Sequence, residues 1–248
     1  MTALDGGELA VIWQNLAKTL IKPSAILMIS AHFYTRELAM TSREKLNTIH
    51  DFYGFPEELY KLFYDVKSDP ALSLRIQKML QKAGISCDLN AEYGIDHGAW
   101  VPLRTLFPEA NIPVLQLSVV PNKDAQFHYQ IGQALSALAD ENVLIIASGH
   151  MTHNLRDIAH TMGRAPDKRS VEFSEWIAQK MIQADDKALL EWQKLAPHAH
   201  FAHPTSEHFL PLFVALGARK NKFSRVDVLG GGFVDESLAA DCYAFYEQ

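Results

Sequence analysis

The fold of this chain is decided by a short stretch at residues 24–30, which reads Ser-Ala-Ile-Leu-Met-Ile-Ser. A nearly continuous apolar run of this length is typical of a strand that is buried on both faces of a parallel sheet. Two similar runs follow, at residues 113–120 and 142–148. The sequence therefore predicts a sheet whose central strands are buried on both sides.

Helical patterns alternate with these strands. Before the first strand, apolar residues recur at helical spacing over residues 6–21. Further helices are predicted at residues 70–84, 100–107, 124–140, 168–194 and 205–217, with residues 168–194 forming one helix or two. This alternation predicts an α/β fold with a largely parallel or mixed central sheet, flanked by helices on both faces. Residues 225–229 are predicted as an edge strand, and residues 1–248 as a single domain, because no repeat or linker interrupts the pattern.

The composition narrows the class of protein. The chain has 248 residues, 48% of them hydrophobic, which is enough for one sizeable core. The net charge of -6, with acidic and basic residues interspersed, argues against a nucleic-acid partner. No apolar run approaches the roughly 20 residues of a membrane span, and the signal-peptide pattern is missing, so no membrane partner is expected. Two distant cysteines, Cys87 and Cys242, fit a reducing compartment, and we expect a cytoplasmic protein.

The chain contains 11 histidines, and those near strand ends are the most informative. His32 follows the first predicted strand, and His150 and His153 follow the strand at residues 142–148. In open α/β sheets, ligands bind beyond the carboxyl ends of the strands, so these imidazoles would converge on one cleft. Imidazole is the commonest metal ligand and titrates near neutral pH. One such histidine is equally compatible with a structural hydrogen bond, but the repetition at two strands favours a site.

Three further segments have both a functional and a structural interpretation. Asp96 precedes His97 in a Gly-flanked turn, where an acid can orient an imidazole, although a plain turn is the simpler explanation. Glu207 and His208 lie at the predicted start of a helix, where a cap and an acid favoured by the helix dipole would account for them. His50 lies in an aromatic loop at residues 50–56. The aromatic side chains of this loop either pack locally or form the wall of an aromatic-binding pocket.

Six segments, taken in order, resemble the 4,5-DOPA dioxygenase family of class III extradiol ring-cleaving enzymes. They are Ser-Ala-His-Phe at 30–33, His-Asp-Phe-Tyr-Gly-Phe-Pro at 50–56, Asp-His-Gly-Ala-Trp at 96–100, Gln-Leu-Ser at 116–118, Ser-Gly-His-Met-Thr-His-Asn-Leu at 148–155 and Pro-Thr-Ser-Glu-His-Phe-Leu-Pro at 204–211. Each segment is weak alone. The ordered set covers nearly the whole chain and is specific.

The resemblance implies an enzyme that opens the ring of a small aromatic diol, a DOPA-like catechol, with O2. It implies one divalent metal per chain, either the Zn²⁺ described in family members or the Fe²⁺ that ring cleavage by this class uses. His32 and His208 correspond to metal ligands, and His153 to a histidine that is either a ligand or an acid/base group. Because ferrous sites usually include a carboxylate, either Glu207 or the adjacent His208 would face the metal.

The resemblance also implies a substrate side of the site. His97 corresponds to a histidine at the substrate, which makes it a catalytic and substrate-binding candidate beside the catalytic candidate His153. His50 and Phe55, in the aromatic loop, are the other candidate substrate-binding residues. Two alternatives stay open, because a zinc-dependent hydrolase uses a similar histidine cluster and a non-catalytic binding protein could retain the fold.

The N-terminus departs from the family pattern. Family members usually begin with a strand that ends in His-Gly-Ser-Pro-Met, whose histidine is another metal ligand, and residues 1–4 resemble the residues from that Met onward. Either the start is assigned too late, or the first strand is missing and an apolar sheet edge is left exposed.

We predict that the genomic DNA directly upstream of the Met1 codon encodes, in frame, a short apolar strand that ends in His-Gly-Ser-Pro, because residues 1–4 fit the pattern in register. Sequencing that region checks the prediction. A stop codon immediately before Met1, in the same frame, would leave genuine truncation as the explanation.

Overall fold

The structure is a computed structural model that describes residues 2–5, 7–157, 163–221, 225–234 and 236–246. The strands are β1 (Ala25–Tyr34), β2 (Ala39–Thr41), β3 (Lys45–Leu46), β4 (Val66–Lys67), β5 (Asp88–Asn90), β6 (Val114–Val119), β7 (Val143–Ser148), β8 (Arg225–Gly230), β9 (Phe233–Val234), β10 (Leu238–Ala239) and β11 (Cys242–Tyr246). The helices are α1 (Thr2–Asp5), α2 (Gly7–Thr19), α3 (Glu57–Tyr60), α4 (Pro70–Lys82), α5 (His97–Leu106), α6 (Ala125–Leu135), α7 (Lys168–Ile182), α8 (Asp186–Leu190), α9 (Trp192–Leu195), α10 (Ala199–Ala202) and α11 (Leu210–Ala218), with a 3-10 helix at Ser136–Glu141. In the part of the chain that the structure describes, no helix is long and apolar enough to cross a membrane.

The central sheet has five strands in the order β5-β2-β6-β1-β7. Strand β1 pairs in parallel with both β6 and β7, whereas β2 is parallel to β5 and antiparallel to β6. The predicted α/β fold with a mixed central sheet is therefore confirmed. The remaining strands form two-stranded antiparallel pairs, β3 with β4, β8 with β11, and β9 with β10.

Strand β1 is buried on both faces, as its apolar run predicts. Leu27 and Ile29 belong to one hydrophobic core, which α4, α6, α7 and α11 also line. Ile26 and Met28 point to the opposite side and join a second core with α5. Because successive side chains of a strand point to opposite faces, one continuous apolar run supplies both cores. Helices flank both faces of the sheet, in agreement with the prediction.

The predicted helix at residues 205–217 begins later than expected. Residues 205–209 form a turn, in which the carbonyl of Ser206 accepts hydrogen bonds from the N–H groups of Phe209 (2.9 Å) and Leu210 (3.1 Å). Pro211 lies in the first turn of α11. Proline is tolerated there but breaks a hydrogen bond and clashes in a helix interior, so a helix that began at residue 205 would be interrupted. His208 therefore lies in a turn.

Three other expectations need correction. Residues 142–148 are predicted as a strand buried on both faces, but only Val143 of β7 is buried, because β7 is the last strand in the order and pairs with β1 alone among the described strands. Residues 225–229 do not form an edge of the central sheet, because β8 pairs only with β11 among the described strands, for example Val226 opposite Phe245. Residues 168–194 contain three helices, α7, α8 and α9. The second of these starts anew because the carboxylate of Asp185 accepts a hydrogen bond from the N–H of Ala188.

Helices α6 and α11 approach each other closely enough for their backbones to touch. A Cβ atom on Gly132 would collide with the carbonyl oxygen of Val214, and one on Gly217 would collide with the carbonyl oxygen of Tyr129. Alanine is normally favoured over glycine inside a helix by about 1 kcal/mol. The two glycines are therefore needed for the packing of the helix pair, which covers the face of the sheet near β7.

We predict that Gly132→Ala lowers the free energy of unfolding by about 1–3 kcal/mol, despite the better helix propensity of alanine, because the added methyl group forces the two helices apart. Urea unfolding measures the change. Gln130→Ala, at an exposed position of the same helix, is the control and should stay within about 0.5 kcal/mol of the parent. Equal stability of Gly132→Ala and the parent would contradict the close contact.

Candidate metal centre

The carboxyl ends of β1 and β7 lie side by side, with Ser30 paired opposite Ser148. The sequence predicts that His32 follows the first strand. In the structure, His32 lies inside β1. Strand β1 continues past a bulge because Tyr34 pairs with Val119 of β6. The imidazole of His32 still reaches the edge of the sheet where the chain leaves β7.

Backbone contacts hold the segment after β7 against the turn at residues 205–209. The N–H of His150 donates a hydrogen bond to the carbonyl of His208 (3.0 Å), and a Cβ atom on Gly149 would collide with this carbonyl. The N–H of His153 donates to the carbonyl of Ala202 (2.8 Å). Glycine at position 149 therefore allows the close approach that brings His208 beside the end of β7.

Five imidazoles from four parts of the chain meet at this edge. The ring centroid of His32 lies 3.9 Å from that of His97 and 5.0 Å from that of His208. The rings of His153 and His208 are stacked, with centroids 3.4 Å apart. The ring centroid of His150 lies 5.8 Å from that of His153 and 6.1 Å from that of His208. The three predicted ligands, His32, His153 and His208, are thus brought together with His97.

Two carboxylates flank the imidazoles. Asp51 lies 3.0 Å from Nδ1 of His97 and 3.4 Å from Nδ1 of His32. Glu207 lies 3.3 Å from Nδ1 of His208 and accepts a hydrogen bond from the hydroxyl of Thr205 (2.8 Å). Because residues 205–209 form a turn, Glu207 and His208 do not diverge as they would in a helix.

The donor atoms at this edge fit a divalent metal. His32, Asp51 and His97 offer three ligand atoms within 4.8 Å of one another, and so do His153, Glu207 and His208. Neutral imidazole and carboxylate oxygen are ligands of both Zn²⁺ and Fe²⁺. Nδ1 of His150 is also buried and makes no hydrogen bond. A buried ring nitrogen without a hydrogen-bond partner, beside these two sets of ligand atoms, is a reason to regard this edge as a metal centre.

Burial keeps the imidazoles of His32 and His153 neutral. Desolvation, followed by the proximity of His97 and His208, lowers the pKa of His32 to about 3. Desolvation and the neighbouring His208 likewise lower the pKa of His153 to about 3. A histidine binds metal only when it is deprotonated, so both side chains are in the ligating form at neutral pH.

The two carboxylates are negatively charged. Burial disfavours the ionised form of Asp51, but its contacts with His97 outweigh this effect and lower its pKa. The hydrogen bond with His208, which outweighs burial, and the one with Thr205 lower the pKa of Glu207 to about 2. The edge therefore combines neutral nitrogen donors with two anionic groups, which favours a cation.

Asp96 does not orient His97, although the two are neighbours in sequence. Its carboxylate is fully buried and accepts hydrogen bonds from the hydroxyls of Ser30 (2.6 Å) and Tyr93 (3.2 Å) and from the side-chain amide of Gln116 (3.2 Å). It also caps α5, which explains why this helix starts at His97. Asp96 thus ties β1 and β6 to the segment before α5 and fixes the place where α5 begins.

The aromatic loop forms one side of the site. Nε2 of His50 makes a hydrogen bond with the carbonyl of Leu62 (2.9 Å), and its ring contacts Phe52. The ring of Phe52 in turn contacts both His97 and Phe55, with centroids 5.6 Å away in each case. Phe52 is therefore the aromatic side chain of this loop that lies between His97 and Phe55, two of the candidate substrate-binding residues.

Asp51 is the residue that the sequence pattern does not single out. Its only signal is its place in the loop between His50 and Phe52, within one of the segments that carry the resemblance. Its partners, His32 and His97, are 19 and 46 residues away in the sequence, so only the folded chain reveals the contact.

Residues 7–245 match the family described as the catalytic LigB subunit of aromatic ring-opening dioxygenase, and the chain belongs to this family. It is similar to two proteins named 4,5-DOPA dioxygenase extradiol. The one from Mirabilis jalapa is 40% identical over 79% of this chain and 73% of that protein, and the one from Escherichia coli K12 is 36% identical over 88% and 81%. It is also similar to a crystal structure of an uncharacterized Escherichia coli K12 protein, with a TM-score of 0.79 and 30% identity over 94% of this chain and 91% of that one.

We predict that Gly98→Ala weakens metal binding by about tenfold or more, the order of effect seen when a ligand loses its support. A Cβ atom at position 98 would lie 2.5 Å from the hydroxyl oxygen of Ser30 and 3.0 Å from Cδ2 of His32, so both side chains must move. Competition of the protein with a chelator for Zn²⁺ measures the affinity. Thr105→Ala, in the last turn of the same helix, is the control and should bind like the parent, whereas unchanged affinity of Gly98→Ala would contradict the close packing around His32.

Proposed function

We propose that the protein is a metal-dependent extradiol dioxygenase that opens the ring of a DOPA-like catechol with O2. The observation that carries the proposal is the convergence of imidazoles and carboxylates at the sheet edge, in a chain that belongs to a family of ring-opening dioxygenases. The names of the relatives from Mirabilis jalapa and Escherichia coli support a DOPA-like substrate.

In this proposal, His32 and His208 hold one divalent metal, and His153 is either the third ligand or the proton carrier. Their donor atoms, low pKa values and burial suit this role. The bound cation, Fe²⁺ for ring cleavage or Zn²⁺ in a resting form, would lower the pKa values of the catechol hydroxyls and leave positions for the catechol and O2. Glu207, in contact with His208, supplies the negative charge beside the metal.

The side chains of this protein handle the protons and the orientation of the substrate. His153 is neutral and can accept a proton from a catechol hydroxyl and return it later. His97, which Asp51 contacts at Nδ1, has its Nε2 left to hold a substrate oxygen. Since only a hydrogen-bonding group that meets the substrate can act in this way, both roles require the substrate to bind between the two imidazoles.

The aromatic loop would bind the ring of the substrate. Phe52 extends from His97 toward Phe55, and His50 supports Phe52 through a ring contact. Phe55 is partly exposed, as expected for a side chain at the mouth of a pocket. Aromatic side chains pair with an aromatic ligand by stacking or edge contacts, and such contacts would exclude water from the reacting ring.

We predict that single substitutions separate the ligands from the proton carrier. His32→Ala and His208→Ala should abolish metal retention, because each removes a donor from a small set. His153→Ala should keep its metal but lose about 10²–10⁴-fold in catechol turnover, if this residue chiefly carries protons. Metal analysis and oxygen uptake with catechols, after anaerobic loading with iron and expression of the full reading frame, are the measurements.

His198→Ala is the matched control, since His198 pairs with Glu172 outside the site and should retain both metal and turnover. If His153→Ala loses its metal as completely as His32→Ala, His153 is a ligand and the proton passes to His97. Absence of oxygen uptake by the iron-loaded parent with every catechol tested would refute the dioxygenase and leave a hydrolase or a binding protein.

A further inference from the structure

Asp51 faces two imidazoles that come from different elements of the fold, His32 from β1 and His97 from the start of α5. We infer that Asp51 is a positioning residue that holds the ring proton of His32 on Nδ1 and so leaves Nε2 of His32 free to bind the metal. The inference rests on the proposed metal-dependent function. It assigns a role to a residue that the sequence pattern does not single out.

One oxygen of the Asp51 carboxylate already accepts a hydrogen bond. Oδ1 of Asp51 accepts a hydrogen bond from the backbone N–H of His97 (2.9 Å) and lies 3.0 Å from Nδ1 of the same residue. A backbone N–H can only donate, so the atom opposite it must be an acceptor. This contact fixes the rotation of the carboxylate and directs Oδ2 toward His32.

The second oxygen lies 3.4 Å from Nδ1 of His32. A neutral imidazole carries one proton, on either Nδ1 or Nε2, and the group that meets one nitrogen decides which. An anionic oxygen beside Nδ1 favours the proton there, which leaves a lone pair on Nε2. Metal-binding histidines commonly donate their other ring N–H to a carboxylate in this way, and the contact also increases the basicity of the ligand.

The other acid near these imidazoles is not free for this role. The carboxylate of Asp96 already accepts hydrogen bonds from Ser30, Tyr93, Gln116 and the backbone N–H of Ala99. Asp51, by contrast, has only His97 and His32 as its partners among the contacts that the described residues make. Because Asp51 lies between His50 and Phe52, it also ties the aromatic loop to the metal side of the site.

Asp51→Asn tests the inference because the fixed orientation predicts its effect. The amide oxygen must stay opposite the N–H of His97, so the NH₂ group takes the place of Oδ2 and faces His32. This group can only donate, so it requires a lone pair on Nδ1 of His32 and moves the ring proton to Nε2. The substitution keeps the size of the side chain but blocks the nitrogen that would bind the metal.

Two comparison variants distinguish this effect from simple loosening of the loop. Asp51→Ala removes the carboxylate without adding a donor, so it should weaken metal binding less than the nearly isosteric Asp51→Asn. Asp65→Asn is the matched control, because Asp65 accepts hydrogen bonds from the N–H and the hydroxyl of Thr48 and pairs with Lys45, with no histidine among these partners. It should bind metal like the parent.

The experiment has two readouts that need no catechol. Long-range ¹⁵N–¹H NMR of the metal-free, histidine-labelled protein should show the proton of His32 on Nδ1 in the parent and on Nε2 in Asp51→Asn. Competition with a chelator should show Zn²⁺ affinity about 10–100-fold weaker in Asp51→Asn than in the parent.

Three results would overturn the inference. They are an unchanged tautomer of His32 in Asp51→Asn, a Zn²⁺ affinity of Asp51→Asn equal to that of the parent, and a loss of affinity in Asp65→Asn as large as in Asp51→Asn. If Asp51→Asn fails to fold, Asp51→Ala decides the matter, and parent-like affinity in that variant counts against the role. Failure of the parent to consume O2 with catechols would refute the proposed function alone, because the tautomer and the Zn²⁺ affinity are measured without substrate.

Discussion

The parallel pairing of β1 with β7, in which Ser30 lies opposite Ser148, sets the positions on which the rest of the site depends. The alternation of β1 residues between two hydrophobic cores holds this register. A slip of one residue would turn every side chain of the strand to the opposite face, so burial on both sides enforces the pairing. The positions of His32 and of the segment that carries His150 and His153 follow directly from it.

The second constraint is the close approach of two backbones at Gly149 and His208. The strand pairing alone would leave the turn at residues 205–209 without a defined place, since that turn is distant in sequence from both strands. A glycine at the end of β7 allows the carbonyl of His208 to meet the N–H of His150. The geometry of the imidazoles is therefore set by backbone contacts, which are stiffer than contacts between side chains.

The charges of the imidazoles and carboxylates also follow from this arrangement. Several imidazoles lie within van der Waals reach of one another, and protonation of more than one of them would place like charges side by side. Burial avoids this by lowering the pKa values of His32 and His153, so that both stay neutral in the folded protein. Asp51 and Glu207 then supply negative charge at the two ends of the cluster. Neutral nitrogen donors on His32 and His153 between two carboxylates are better suited to a cation than to an anion or an apolar ligand.

The sequence by itself determined the α/β class, three strands of the central sheet and the histidines that meet at the sheet edge, because apolar runs, helical periodicity and ordered motifs are local properties of the chain. The sequence was wrong in predicting that β7 is buried on both faces. It did not determine the late start of α11, the pairing of β8 with β11 or the role of Asp51. Pro211 carried a local signal for the late start of α11, but the helical pattern around it was stronger. The other two depend on which distant segments pack together: β11 becomes the partner of β8 only when the C-terminal residues fold back, and Asp51 meets His32 and His97 only when β1 and α5 are both in place. Tertiary structure decided these features because the free energy of a strand pair or an ion pair belongs to two segments together, and neither segment alone encodes it.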